Sequence, residues 1–80
     1  MIIVSQDKDK IVNFDNIIYI KIYPPFDDTE RFEIDAEKVN GELVELGIYE
    51  TKERAKEVLM DIVKNYNITP LAMIYKMPEE

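Results

Sequence analysis

Between Thr51 and Tyr66 the apolar residues Ala55, Val58, Leu59, Ile62, Val63 and Tyr66 recur at intervals of three and one, the spacing of one helical face. At about 100° per residue they fall within an arc of roughly 140°, and Glu53, Arg54, Glu57, Asp61 and Lys64 take the other side. Thr51 is positioned to cap the start by accepting from the amide of Glu53 or Arg54, and Asn65 or Asn67 to close the end. Such a helix needs a platform for its apolar stripe.

Residues 2–49 supply one, because their pattern is that of short strands. Ile2 to Gln6 and Ile11 to Phe14 flank the polar quartet Asp7-Lys8-Asp9-Lys10 and predict a hairpin. Ile17 to Tyr23 is β-branched or aromatic at every position except Lys21. Ile18, Ile20 and Ile22 share one face and Ile17, Tyr19, Lys21 and Tyr23 the other, so a central strand covered on both sides is expected, ended by Pro24-Pro25. After the polar loop Phe26-Asp27-Asp28-Thr29-Glu30, Arg31 to Glu37 alternates, with Phe32, Ile34 and Ala36 inward and Arg31, Glu33, Asp35 and Glu37 on a wet face. Asn40-Gly41 is a hairpin turn in which both residues can take positive φ. Glu42 to Tyr49 then returns with Val44, Leu46 and Ile48 inward and Gly47 at a bulge. Beyond Pro70, Leu71 to Met77 reads as a last strand, either buried on both faces or paired with another chain.

The fold class expected is therefore α+β: one domain over residues 1–80, a mostly antiparallel sheet of five or six strands, and a helix across one face. Its core is modest. A chain of this length buries about 60 to 65% of its unfolded surface, and total stability of about 4 to 12 kcal/mol follows from the usual value per residue.

Composition narrows the chemistry. There is neither cysteine nor histidine, which removes disulfides, thiolate ligands and the commonest general base and metal ligand. A net charge of −7, from 17 acidic and 10 basic residues, repels phosphate backbones and favours basic partners. Met1 to Val4 is too short an apolar run for a signal peptide or a membrane span, so a cytoplasmic protein is expected.

Individual candidates for chemistry are thin. Asp7 and Asp9 form Asp-x-Asp but lack the glycine and distant glutamate of a calcium loop, and Asp27, Asp28 and Glu30 have no phosphate cradle beside them for magnesium. Glu33 and Asp35 point the same way, as a two-acid catalyst would need, yet no pocket residues surround them in the pattern. Ser5 has no histidine partner and Lys10 no serine-lysine context. No catalytic, cofactor-binding or metal-binding residue is predicted. Tyr19 and Tyr23, beside the bend at Pro24-Pro25, together with Phe26, Asp27 and Asp28, are the candidate partner contacts; packing of the tyrosines beneath the loop or the last strand is the competing expectation.

The stretch from Ile3 to Ile17, Ile-Val-Ser-Gln-Asp-Lys-Asp-Lys-Ile-Val-Asn-Phe-Asp-Asn-Ile, and the later stretch Leu46 to Leu59, Leu-Gly-Ile-Tyr-Glu-Thr-Lys-Glu-Arg-Ala-Lys-Glu-Val-Leu, resemble small uncharacterised proteins of Gram-positive bacteria and their phages. That resemblance implies an intact bacterial or phage protein and carries no catalytic motif. The functional expectation is a non-enzymatic binding or accessory protein acting through a sheet face or edge on a protein partner or on a second copy of itself, without direct nucleic-acid or membrane contact. The alternatives are an acidic phage-type inhibitor of a nucleic-acid-handling protein, using Asp27, Asp28, Glu30, Glu33, Asp35 and Glu37, and, third, a small metal-dependent enzyme.

Overall fold

The computed structural model describes residues 1–24, 31–68 and 74–80, with the helix side chains described through Tyr66. In chain order the elements are β1 (Ile2–Val4), β2 (Ile11–Asn13), a 3-10 turn (Phe14–Asn16), β3 (Ile17–Tyr23), β4 (Phe32–Lys38), β5 (Leu43–Tyr49), α1 (Lys52–Ile68) and β6 (Ile74–Lys76). The fold is α+β, as the periodicities predict. Its strands form two three-stranded sheets, ordered β2-β1-β6 and β3-β4-β5, and α1 packs on the second.

Both hairpins form. β1 and β2 pair antiparallel around a turn in which Lys8 takes a φ of 63° and the Asp7 carboxylate accepts from the Asp9 amide at 3.0 Å. The Ser5 hydroxyl, the Asp9 amide and Lys10 together hold the Asp7 carboxyl down to about 2, with the Ser5 bond the largest cause. In the second hairpin Gly41 alone has positive φ, at 89°. The Gly41 amide donates to the Lys38 carbonyl at 2.8 Å, and the Asn40 side chain accepts from the Glu42 amide at 2.9 Å. A three-residue loop with a left-handed glycine therefore replaces the expected two-residue turn.

Strand β3 lies at an edge, with β4 in the centre, which corrects the expectation that β3 is central. A register shift between Ile17 and Tyr19 breaks its alternation and leaves Ile18 57% exposed. Lys21 and the flanking prolines suit an edge, where a charge and a missing amide discourage further pairing.

Strand β5 carries the bulge expected at Gly47. Ile34 lies opposite Gly47 and Asp35 opposite Glu45, so Leu46 is the extra residue. One added residue reverses the parity. Leu46 and Tyr49 are buried in the core, while Ile48, expected inward, is half-buried across from Glu33 on the opposite face. A Cβ at Gly47 would sit 3.0 Å from the Tyr49 ring, so glycine makes room for that ring to fold back over the bulge.

The helix starts as expected, with the Arg54 amide donating to the Thr51 hydroxyl at 3.0 Å. It continues through Asn65 and Asn67 to Ile68 rather than stopping at either. Ala55, Val58 and Ile62 are fully buried and Leu59 partly so, but Val63 (44% exposed) and Tyr66 (49%) fall outside the covered arc. Tyr66 instead stacks on Phe14 with ring centroids 4.9 Å apart.

Of the expected last strand, residues 71–73 lie outside the described residues. Ile74–Lys76 pairs parallel with β1 and buries Tyr75 while Ile74 stays exposed, so its described part is covered on one face rather than two. Ile3, Val12 and Tyr75 from the first sheet, and Met77 just beyond it, join Ile34, Ala36, Leu46 and Tyr49 from the second and the buried helix residues in one core. Gln6 stitches the sheets together. Its amide donates to the Leu46 carbonyl at 2.7 Å, and its side chain both donates to and accepts from the Ile48 backbone, at 2.9 and 2.8 Å, as a neighbouring strand would.

Candidate functional site

With α1 on one side of β3-β4-β5, the other side bears Tyr19, Lys21 and Tyr23 from β3, Glu33, Asp35 and Glu37 from β4, and Leu43, Glu45 and Ile48 from β5. The helix packs against the opposite side. Alternation puts these residues there, since Ile34 and Ala36, the neighbours of Asp35, are fully buried beneath the helix.

Tyr19 and Tyr23 both belong to this face, as the sequence pattern suggests, and the described part of the last strand, Ile74–Lys76, pairs with β1 in the other sheet. Tyr19 is 44% exposed and donates from its hydroxyl to Glu37 Oε1 at 3.0 Å. That bond and the charge behind it push the phenol up to about 12. Tyr23 is half-buried, with the Lys21 ammonium 4.9 Å from its ring centroid. Phe26, Asp27 and Asp28, the other candidate contacts, lie outside the described residues.

The centre of the face contradicts the sequence pattern. Asp35, expected on a wet surface, is only 8% exposed. It lies between Lys21 and Glu45 across the strands, with Glu33 and Glu37 two positions away along its own. A central strand shields a short side chain on both flanks, whereas alternation in the sequence registers only which way it points. Burial, then the hydrogen bond to Glu33 and the charges of Glu33 and Glu45, push the Asp35 carboxyl up to about 7. Glu45 is also raised, by burial first and then by Glu33, with Lys10 pulling the other way. Lys21, directly across from Asp35, lies over Tyr23 instead of pairing with it. Asp35 Oδ1 is buried without a hydrogen-bond donor among the described residues.

Sequence reasoning missed the role of Asp35 and Glu45. The only available signal was the position of Asp35 midway along an alternating strand, and it becomes informative once β4 is known to be central. Gln6 had no signal at all, because its partners lie about forty residues away.

A separate open cleft of about 790 Å³ lies between the start of α1 and the carboxyl end, lined by Gln6, Arg31, Tyr49, Thr51, Arg54 and Glu79 among others. Its Arg54 is engaged, donating from Nε to the Glu80 carbonyl at 2.8 Å. No group of three or more acidic residues among those described is arranged to hold a metal ion, and no described helix is long and apolar enough to cross a membrane. Set against family models, curated proteins and solved structures, the chain matches none.

Proposed function

We propose that this protein is a non-enzymatic accessory module that works by associating with another protein through the open face and outer edge of β3-β4-β5. The observation that carries this reading is a sheet face turned away from the helix that bears a half-exposed tyrosine, Tyr19, on its edge strand β3. Aromatic side chains there offer contact area at low entropic cost, and an edge strand offers backbone donors and acceptors. Charge favours a different protein over a second copy. Two copies stacked on this face would bring eight carboxylates together, from Glu33, Asp35, Glu37 and Glu45 of each, against two lysines.

The test is capture of a partner by the tagged chain, followed by Tyr19→Ser with Tyr23→Ser and, separately, Lys56→Ala on the exposed helix surface. Loss of the partner with the tyrosine variant alone supports the reading. Retention with both variants, or a chain that binds only itself, overturns it.

The acidic character of the face favours a second reading, a phage-type inhibitor of a nucleic-acid-handling protein in which Glu33, Glu37 and Glu45 take the place of phosphates. It predicts a partner released both by salt and by competing DNA. Burial of Asp35 interrupts the acidic row and weakens that mimicry.

A further inference from the structure

We infer that Glu33, Asp35 and Glu45 form a receptor for an arginine side chain presented by the partner on an extended basic segment. This deepens the association reading and rests on it. Two independent observations support it. Three acidic side chains share one side of the sheet, since Asp35 and Glu45 are direct cross-strand neighbours and Glu33 lies two positions from Asp35 on the same side of β4. Within that group Asp35 is more than nine-tenths buried, with an oxygen that receives no hydrogen bond from any described residue. A buried acceptor without a donor is costly, and an incoming donor removes the cost.

The occupant must be cationic, because a neutral donor would leave the mutual repulsion of the carboxylates in place. A guanidinium suits the site better than an ammonium. Its planar fork can donate to two carboxylates at once, and it is weakly hydrated, so it gives up less on entering a half-dry site. Lys21 is the nearest cation of this chain by register, yet it is held over the Tyr23 ring and makes no ion pair among the described residues.

Binding is then coupled to a proton. The groups facing Asp35 are Tyr19, Lys21 and Tyr23 from β3, Glu33 and Glu37 from β4 and Glu45 from β5, with Asp7 and Lys10 acting on Glu45 from the first turn. An arginine that pairs with the ionised Asp35 displaces the proton this carboxyl retains near neutrality, so affinity rises with pH.

Calorimetric titration of the full chain with a hexa-arginine peptide, at fixed salt, tests the inference. Glu33→Gln with Glu45→Gln is expected to weaken binding about tenfold, and Glu53→Gln with Glu57→Gln on the helix, an equal change of charge, less than about twofold. Affinity of the unmodified chain rises by up to about tenfold between pH 6 and pH 8, and Asp35→Asn, which keeps the shape of the site, flattens that rise. Equal losses in the two double variants, equal affinity for hexa-lysine, or a pH dependence that survives Asp35→Asn would each overturn it. If the captured partner is lost with the tyrosine variant but kept by Glu33→Gln with Glu45→Gln, the association reading stands and the arginine receptor falls; retention with both sets overturns the association reading itself.

Discussion

The two faces of β3-β4-β5 are built from the same three strands and obey opposite rules. Under the helix, Ile34, Ala36 and Leu46 are excluded from water, and every gain there comes from apolar contact. On the other side Asp35 is nearly as buried but carries a carboxyl without enough partners. Neighbours in sequence, Ile34 and Asp35, thus stabilise and strain the same strand. The difference teaches that burial alone does not mark a core position; what fills the space around the side chain does.

The contrast can be broken most forcefully from the covered side. Leu46→Ala removes a fully buried side chain at the bulge and is expected to cost about 2 to 5 kcal/mol, a large part of the stability of so short a chain, read from the midpoint of urea unfolding. A loss below about 1 kcal/mol would mean that the helix does not cover this face in solution.

Gly47→Ala comes next, at about 1 to 3 kcal/mol, because the new methyl group meets the Tyr49 ring at 3.0 Å. Thermal unfolding checks it. Unchanged stability would remove the tight fold of Tyr49 over the bulge.

On the open side the sign reverses. Asp35 keeps its proton up to about 7 in the folded chain against about 3.9 unfolded, so between those values the folded state binds more protons. Its favourable contribution is whole below about pH 4 and is lost as pH rises through 7. Asp35→Asn should therefore be more stable than the unmodified chain at pH 8, by about 1 to 2 kcal/mol after allowance for solvent screening, with the advantage gone by pH 4. Parallel stability profiles for the two chains would contradict the burial of that carboxyl. Asp7 acts with the opposite sign in a lower window, since its lowered carboxyl stabilises above about 3.8 and ceases to do so as pH falls towards about 2.

The smallest effect is expected at the rim. Tyr19→Phe should leave the unfolding midpoint where it was while removing one late-ionising phenol, near 12, from the spectrophotometric titration. A marked shift of the midpoint would place Tyr19 inside a packed layer.

Much of the fold was legible from periodicity. The order of strands and helix, the Thr51 cap, the Gly47 bulge and the inward set Ile34, Ala36, Val58 and Ile62 follow from spacing and local chemistry, which act over a few residues. Errors arose wherever an outcome depended on a neighbour distant in sequence. The β-branched run of β3 reads as central because propensity registers side-chain shape and not which strand pairs on each side. Tyr49 rather than Ile48 turns inward because a single added residue changes parity, and the glycine at the bulge does not state the direction of the change. Of the candidate site, Tyr19 and Tyr23 were legible from alternation, whereas the burial of Asp35 and its pairing with Glu45 were not.

By itself the sequence determined the local conformations and the faces they present, since both follow from backbone geometry and side-chain order within a turn or a strand. Tertiary structure decided which strand stands in the middle, how the two sheets are joined through Gln6, and that a carboxylate sits shielded at the centre of the open face. Those depend on long-range pairing, where water is excluded by residues that the local pattern never mentions.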